Sequence, residues 1–233
     1  MAPNRSHRAL FIVALCLGVG LLTLIIGPGT SGGEEKASAK AEGYLQEGLR
    51  ASKKGRLPEA VQAFKEASAL DPDDPFAFNY LGVTYVRMGR VRDAIEPFEN
   101  AVALRPTSAT FHYNLARACH LSKNYPKAIE YYQKTVALDP AQALAHLYLG
   151  KLYGREQERY PEAIEELTKA IALNTSNAEA PFLPEAHYLL AVAYFGVKNF
   201  TLAWQSVEEA ERLGYKVNPA FTKALSQMAP KSP

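Results

Sequence analysis

Apolar side chains recur along residues 75–108 at the spacing of two successive helices. The first stripe consists of Phe78, Leu81, Gly82 and Tyr85, and the second consists of Ala94, Phe98 and Ala101. Each set lies on one face of a helix, because about 3.6 residues make one turn. Gly89 stands between the two stripes, where glycine tolerates the left-handed turn that ends a helix. The pattern predicts a helical hairpin whose small residues allow its two helices to approach closely.

The residues that follow repeat this frame. Leu115, Ala116, Ala128 and Pro140 stand in register with Leu81, Gly82, Ala94 and Pro106. Small, aromatic and proline residues at these offsets form the tetratricopeptide signature, whose period is about 34 residues. From about residue 41 to residue 213 the chain therefore resembles the tetratricopeptide-repeat (TPR) family. The resemblance implies an all-α fold, a right-handed α-solenoid of about five helix-turn-helix hairpins.

The predicted repeats fill most of the chain after residue 40. They occupy residues 41–74, 75–108, 109–142, 143–177 and 184–217, and residues 218–233 form a capping helix and tail. The fourth repeat has one extra residue at its turn, and residues 174–183 interrupt the period before the fifth. Phe221, Leu225 and Met228 form an apolar stripe that would cover the last hairpin. Pro97 falls inside a helix and predicts a local bend on its outer face.

An uncharged stretch precedes the repeats. Residues 9–27, "ALFIVALCLGVGLLTLIIG", are long enough to cross about 30 Å of hydrocarbon as a helix. They predict a transmembrane helix. Arg5 and Arg8 precede it and no basic residue follows before Lys36, which places residues 1–8 in the cytoplasm and the repeats outside it. A cleaved signal peptide is the alternative, because small residues that could form a cleavage site follow residue 27.

Composition sets further limits. Residues 28–40 are rich in Gly, Ser, Ala and charge and lack apolar periodicity, which predicts a flexible linker. The net charge of +2 indicates neither a nucleic-acid partner nor an anionic surface. Cys16 lies in the apolar stretch and Cys119 at a core position of the third repeat, so the two are not expected to form a disulfide.

The sequence offers no catalytic constellation. It has no CxxC pair, phosphate loop or serine elbow, which predicts a non-enzymatic protein without cofactor, metal or small-molecule substrate. His112, His146 and His187 recur at one position of three repeats, where the other repeats have aromatic packing residues. Solenoid helices lie about 8–10 Å apart, which places these imidazoles poorly for one zinc ion. We interpret the three histidines as packing residues.

In the family, the stripe of each first helix that does not face its hairpin partner lines a concave groove. The resemblance implies a peptide-binding groove formed by Asn79, Tyr80, Val83, Arg87, Tyr113, Asn114, Arg117, Leu121, Leu147, Tyr148, Lys151, Arg155, Tyr188 and Val192. Tyrosine and arginine are prominent at interfaces, which favours a peptide with apolar anchors and some acidic groups. The alternative is that these tyrosines only pack against neighbouring helices. The carboxylate clamp of chaperone-binding members is not matched, because Leu45 and Leu49 occupy its first positions and only Asn114 agrees.

These observations predict a scaffold tethered by a single helix to a membrane of a bacterial envelope. Its repeat domain would lie outside the cytoplasm and bind a protein or peptide partner. One alternative is an exported, periplasmic or secreted assembly factor for a pilus or secretion system, formed after signal cleavage. Another is an accessory subunit of an envelope enzyme. A helical-repeat RNA binder is disfavoured by the nearly balanced charge.

Overall fold

The chain folds as a stack of helical hairpins. The computed structural model describes residues 31–174 and 181–230, and within these ranges it contains eleven α-helices and no strand. The helices are α1 Ser31–Lys53, α2 Leu57–Leu70, α3 Pro75–Arg87, α4 Ile95–Leu104, α5 Ala109–Leu121, α6 Tyr125–Leu138, α7 Ala143–Glu156, α8 Tyr160–Ala172, α9 Leu183–Gly196, α10 Phe200–Arg212 and α11 Pro219–Met228. Each helix packs mainly on its neighbours in sequence. The all-helical solenoid predicted from the repeats is confirmed.

Glycines bring the two helices of a hairpin into contact. A Cβ atom added to Gly82 would lie 2.7 Å from the ring of Phe98, and one added to Gly48 would lie 2.5 Å from the ring of Phe64. At Gly150 the facing side chain is Leu167, at 2.6 Å. Real Cβ atoms do not approach other atoms so closely, so glycine is required at these positions. The predicted role of small residues in close packing is confirmed here.

The turns inside the hairpins are closed by one recurring main-chain hydrogen bond. In the second repeat the amide of Arg90 donates to the carbonyl of Tyr85 at 2.9 Å, and in the third Asn124 donates to Cys119 at 2.8 Å. In the fourth repeat the bond runs from Arg159 to Tyr153 at 2.9 Å, one residue further apart. The extra residue therefore lies between Tyr153 and Arg159. It lengthens α7 to 14 residues, against 13 in α5, while the segment that joins the two helices keeps the same length, so its predicted place in the turn is wrong by a residue or two.

Pro97 lies close to the start of a helix. A single 3₁₀ turn, Val91–Ala94, precedes α4, and Pro97 is the third residue of that helix. The first amides of a helix have no partner within it, so the missing N–H of proline costs little there. Pro97 is also buried. Because Pro97 is buried, its predicted place on the outer face is wrong. The backbone irregularity is the 3₁₀ turn just ahead of the proline, and the predicted bend itself stays a prediction.

The helix α1 begins before residue 41, where the first repeat was predicted to start. It begins at Ser31, so the prediction of a flexible linker is wrong for residues 31–40, while residues 28–30 lie outside the described part. The physical reason is local composition, because Ala and Lys dominate residues 36–40 and both favour helix. The predicted transmembrane segment, residues 9–27, also lies outside the described residues. Among the helices that are described, none combines the length and apolar character needed to cross a bilayer.

Buried apolar side chains form three clusters along the stack. The first runs from Leu45 to Ala163 and also includes Ala193. The second joins α7, α8 and α9 through Leu147, Leu167, Ala170, Ala186, Leu189 and Leu190. The third joins α9, α10 and α11 through Ala191, Ala203, Val207 and Leu225. The core is therefore built by successive neighbours rather than around one centre.

The helix α11 covers the last hairpin. Leu225 is 0% exposed in the third cluster, and Phe221 packs against that cluster. The indole N–H of Trp204 on α10 donates to the carbonyl of Ala229 at 3.0 Å, which fixes the end of α11. Met228 is 57% exposed, so its predicted place in the apolar stripe is wrong. The cap is anchored by Phe221 and Leu225.

The recurring histidines have structural partners. The Nε2 atom of His112 lies 2.8 Å from the carbonyl oxygen of Pro106, and that of His146 lies 3.0 Å from the carbonyl oxygen of Pro140. The Nδ1 atom of His146 also lies 2.6 Å from a carboxylate oxygen of Glu166. His112 and His146 thus tie their helices to the ends of the preceding repeats. Within residues 36–174 and 181–230, no three His, Cys, Asp or Glu side chains are grouped so that they could hold a metal ion.

Candidate functional site

The predicted groove residues lie on α3, α5, α7 and α9, the first helices of repeats two to five. Arg87, Arg117 and Arg155 are exposed, whereas Tyr80, Val83, Tyr113, Asn114, Tyr148, Lys151, Tyr188 and Val192 are half-buried, and Leu121 is exposed. Asn79 is buried, and Leu147 is 3% exposed within the second cluster. Leu147 therefore does not line an open surface, because it fills the space between α8 and α9. The same holds for the buried Asn79, so its predicted place on the open surface is also wrong. We call the surface formed by the other predicted residues the groove surface.

Contacts between consecutive first helices place several of these residues on one side of the stack. The side-chain amide of Asn114 donates to Oδ1 of Asn79 at 2.8 Å. The Nζ atom of Lys151 lies 2.6 Å from Oε1 of Glu185 at the start of α9. Arg87 donates to the carbonyl oxygen of Ser52 at 3.2 Å. These bonds link α1 to α3, α3 to α5, and α7 to α9, and so join consecutive first helices of the stack.

Aromatic rings form the centre of the groove surface. Tyr148 stacks on Tyr132 with centroids 5.5 Å apart, and Tyr113 lies 5.9 Å from Tyr132. His120 meets Tyr148 edge to face at 5.5 Å. We call Tyr113, His120, Tyr132 and Tyr148 the central aromatic cluster. Because Tyr132 is fully buried, its partners Tyr113 and Tyr148 contribute to packing as well as to the surface.

The charge of the groove surface comes from its arginines and Lys151, because Tyr113 and His120 beside them are uncharged. Burial raises the pKa of Tyr113 to about 12, with a further rise from Tyr148 and an opposing effect of Arg117. Burial lowers the pKa of His120, as does the nearby charge of Lys151, while Glu156 opposes the shift. Tyr113 is therefore a neutral hydroxyl, and the lowered pKa keeps His120 predominantly uncharged near neutral pH.

Two of the cations are available to a ligand. Over the part of the chain that the structure describes, Arg117 and Arg155 make no hydrogen bond or ion pair, whereas Lys151 is paired with Glu185. An unpaired guanidinium beside tyrosine rings can receive a carboxylate in a bidentate pair. The tyrosine faces can contact apolar or aromatic groups of the same ligand. The arrangement therefore suits a ligand that combines acidic and apolar groups.

At each end of the groove surface, a tyrosine that was predicted to bind a peptide packs against the rings of neighbouring helices. Tyr80 stacks on Phe64 of the preceding repeat at 5.6 Å, so it bridges repeats one and two. Tyr188 stacks on Tyr215 at 4.8 Å and meets Phe221 of α11 at 5.8 Å. For Tyr80 and Tyr188 the packing alternative therefore accounts for much of the ring surface. Their role in binding a peptide stays a prediction.

Sequence reasoning missed His120 and Glu185. His120 lies three residues after Arg117, so extending the stripe by one helical turn would have included it. Glu185 follows the interrupted segment 174–183, which obscured the frame of the fifth repeat. Its importance comes from its ion pair with Lys151, and a contact between two helices is not visible in a local pattern.

Comparisons with known proteins agree with this geometry. A family model described as tetratricopeptide repeat matches residues 81–143 and 153–214, which is more than half of the chain, and a second described as TPR repeat matches residues 48–89. No functionally curated protein is detectably similar in sequence.

Several solved structures are similar in fold. A crystal structure of MamA protein is 28% identical, with a TM-score of 0.63 over 77% of this chain and 98% of that chain. YrrB, described as a TPR protein with an unusual peptide-binding site, is 20% identical with a TM-score of 0.67 over 80% and 92%. The pilF protein of Pseudomonas aeruginosa is 20% identical with a TM-score of 0.63 over 84% and 85%. The last two similarities show the fold alone. With its family-model matches and its stacked hairpins, the chain belongs to the tetratricopeptide-repeat family.

Proposed function

We propose that this protein is a non-enzymatic scaffold that binds a protein partner on its groove surface. The observation that carries the proposal is the pair of guanidinium groups, Arg117 and Arg155, which have no hydrogen bond or ion pair among the described residues. Arg117 acts electrostatically on Tyr113, and Arg155 on His120, of the central aromatic cluster. Arginine and tyrosine are both enriched among the residues that contribute most to binding at protein interfaces. The ligand is a peptide segment with acidic side chains and apolar anchors, which complements both kinds of group.

We further propose that the scaffold acts at a membrane. The support comes from the sequence, in which the uncharged residues 9–27 follow Arg5 and Arg8. The positive-inside rule then puts the repeat domain outside the cytoplasm, in a bacterial envelope. Such a tether restricts the scaffold to partners at or near the membrane surface and raises their effective concentration at the groove surface.

Charge reversal at Arg117 tests the proposed binding surface. Arg117→Glu is expected to abolish capture of the native partner from solubilised membranes, because it replaces attraction of an acidic segment by repulsion. The side chain is exposed and has no hydrogen bond or ion pair in the described residues, so stability should change by about 0.5 kcal/mol or less. The measurement compares tagged wild-type and variant chains by co-purification and mass spectrometry.

The matched control is Lys65→Glu. Lys65 is exposed on α2, a second helix, and its reversal changes the net charge by the same amount. It should retain the partner at wild-type yield. If Arg117→Glu also retains the partner at wild-type yield, the groove surface is not the binding site. Equal losses in both variants would mean that binding depends on net charge alone.

Protease accessibility tests the proposed topology. With a tag at the C-terminus, the repeat domain should be digested as soon as the outer permeability barrier is opened, while the inner membrane is still intact. A cytoplasmic marker protein serves as the control and should survive that step. Protection of the repeat domain until the inner membrane is broken would contradict the topology. N-terminal sequencing of the purified chain separates an uncleaved anchor from a cleaved signal peptide.

A further inference from the structure

A cleft opens at the edge of the groove surface. It has a volume of about 530 Å³ and lies between the turn of the second repeat and the C-terminal end of α5. Val91 and Leu121 contribute apolar surface, and Leu121 is 50% exposed. Leu121 is also the last residue of α5 on the groove surface. A ligand bound on the groove surface could therefore extend into this cleft while it stays in contact with the protein.

The charges around this cleft do not cancel. The guanidinium of Arg90 is paired with Asp93 at 2.6 Å and lies 4.8 Å from the ring centroid of Tyr85. Arg92 and Lys123 also line the cleft, and neither has a hydrogen bond or ion pair within the described ranges. The lining therefore combines two unpaired cations with an exposed leucine.

We propose that this cleft is a second subsite for the same partner and that it receives a glutamate side chain. The methylene groups of the glutamate would contact Leu121, and its carboxylate would lie between Arg92 and Lys123. A positively charged, partly apolar cleft selects this chemistry over a lysine, which it repels, and over a purely aliphatic residue, which leaves both cations unpaired. The inference rests on the proposed function, because the glutamate belongs to the segment bound in the groove.

The turn geometry provides a variant that separates binding from folding. Lys123 has φ of 64°, in the left-handed region that favours glycine, and Gly89 holds the equivalent place in the second repeat with φ of 74°. Lys123→Gly should therefore keep or raise the melting temperature while it removes one charge of the cleft. Lys198, with φ of 60° at the turn of the fifth repeat, is outside the cleft. Lys198→Gly is the matched control, with the same change of backbone strain and net charge.

The probe is a fluorescein-labelled peptide of three Glu-Glu-Leu-Tyr units, titrated by anisotropy into the full chain in detergent at low salt. Extended, these twelve residues span about 40 Å, which is close to the width of five helices spaced 8–10 Å apart. We expect Lys123→Gly and Arg92→Ser each to weaken binding about fivefold, while Lys198→Gly binds like wild type. With a Gln-Gln-Leu-Tyr peptide, Lys123→Gly and wild type should bind equally.

The outcomes distinguish the subsite from the groove surface. If Arg117→Glu weakens binding and Lys123→Gly does not, the subsite is overturned and the proposed function stands. If Lys198→Gly weakens binding as much as Lys123→Gly, the effect is one of net charge and the subsite is again overturned. If neither Arg117→Glu nor Lys123→Gly changes binding, or if wild type binds the glutamate and glutamine peptides equally, both proposals fail.

Discussion

Replacing Gly82 with leucine is expected to lower the free energy of unfolding by about 3 kcal/mol or more. The first added atom, Cβ, would already lie 2.7 Å from the Phe98 ring. That ring is 1% exposed, so it has little room to move aside. The helices α3 and α4 would have to separate, which would also disturb the contacts of each with its neighbours. A loss of this size corresponds to a fall of about 6–12 °C in melting temperature.

Circular dichroism during heating measures this effect, and Gly43→Leu is the control. Gly43 lies in α1, and no heavy atom lies within 4 Å of a Cβ built there. Leucine has a higher helix propensity than glycine, so this variant should be as stable as wild type or more stable. If Gly82→Leu melted at the wild-type temperature, the close contact with Phe98 would be wrong.

Replacing Leu225 with aspartate is expected to detach α11 from the last hairpin. The change removes a fully buried side chain and puts a carboxylate among Ala191, Ala203 and Val207. Loss of leucine burial alone costs about 2–5 kcal/mol, and the unpaired charge adds to it. Undocking would also break the hydrogen bond from Trp204 to Ala229 and uncover Tyr188. We expect a less stable C-terminal end and binding of the dye ANS to the exposed apolar surface.

Trp204 is the single tryptophan of the chain, so its fluorescence reports on this end alone. Its emission should shift to longer wavelength in Leu225→Asp at temperatures where the helix content is still high. Met228→Asp is the control, because Met228 lies in the same helix and is 57% exposed. It should leave the emission and the melting curve unchanged. An unchanged emission in Leu225→Asp would mean that α11 does not cap the hairpin.

The repeats could be predicted because their determinants are local. In the second repeat, Gly82 stands four residues after Phe78, Ala94 stands twelve residues after Gly82, and Pro106 closes the unit. All of these residues act within one hairpin. The same frame then recurs along the chain, so one unit supports the next. The extra residue of the fourth repeat was located to within a residue or two for the same reason, since the surrounding frame showed where it had to fall.

Apart from the linker, the errors arose where a residue depends on a neighbour that is distant in sequence. Leu147 has the spacing of a groove residue, but its place in the core depends on α9, which lies beyond the interrupted segment 174–183. Met228 continues an apolar stripe, but it is the last residue of α11 and its side chain is 57% exposed. The linker prediction gave too little weight to the helix-forming residues 36–40. The pairing of Lys151 with Glu185, which leaves Arg117 and Arg155 as the unpaired cations, also required three-dimensional contacts.

The division of the core into three clusters gives the bound partner a thermodynamic role. Tyr113 and Arg117 lie on α5, beside the first cluster, whereas Glu185 and Tyr188 lie on α9, which contributes to the second and third clusters. A segment that contacts α5 and α9 together would have to be released before these parts could separate. Ligand at about 100 times its Kd adds about 2.7 kcal/mol to the stability of the state that binds it. If the proposed partner binds there, occupancy of the groove surface would couple parts of the stack that contact only their neighbours, and the partner would then influence how cooperatively the scaffold unfolds.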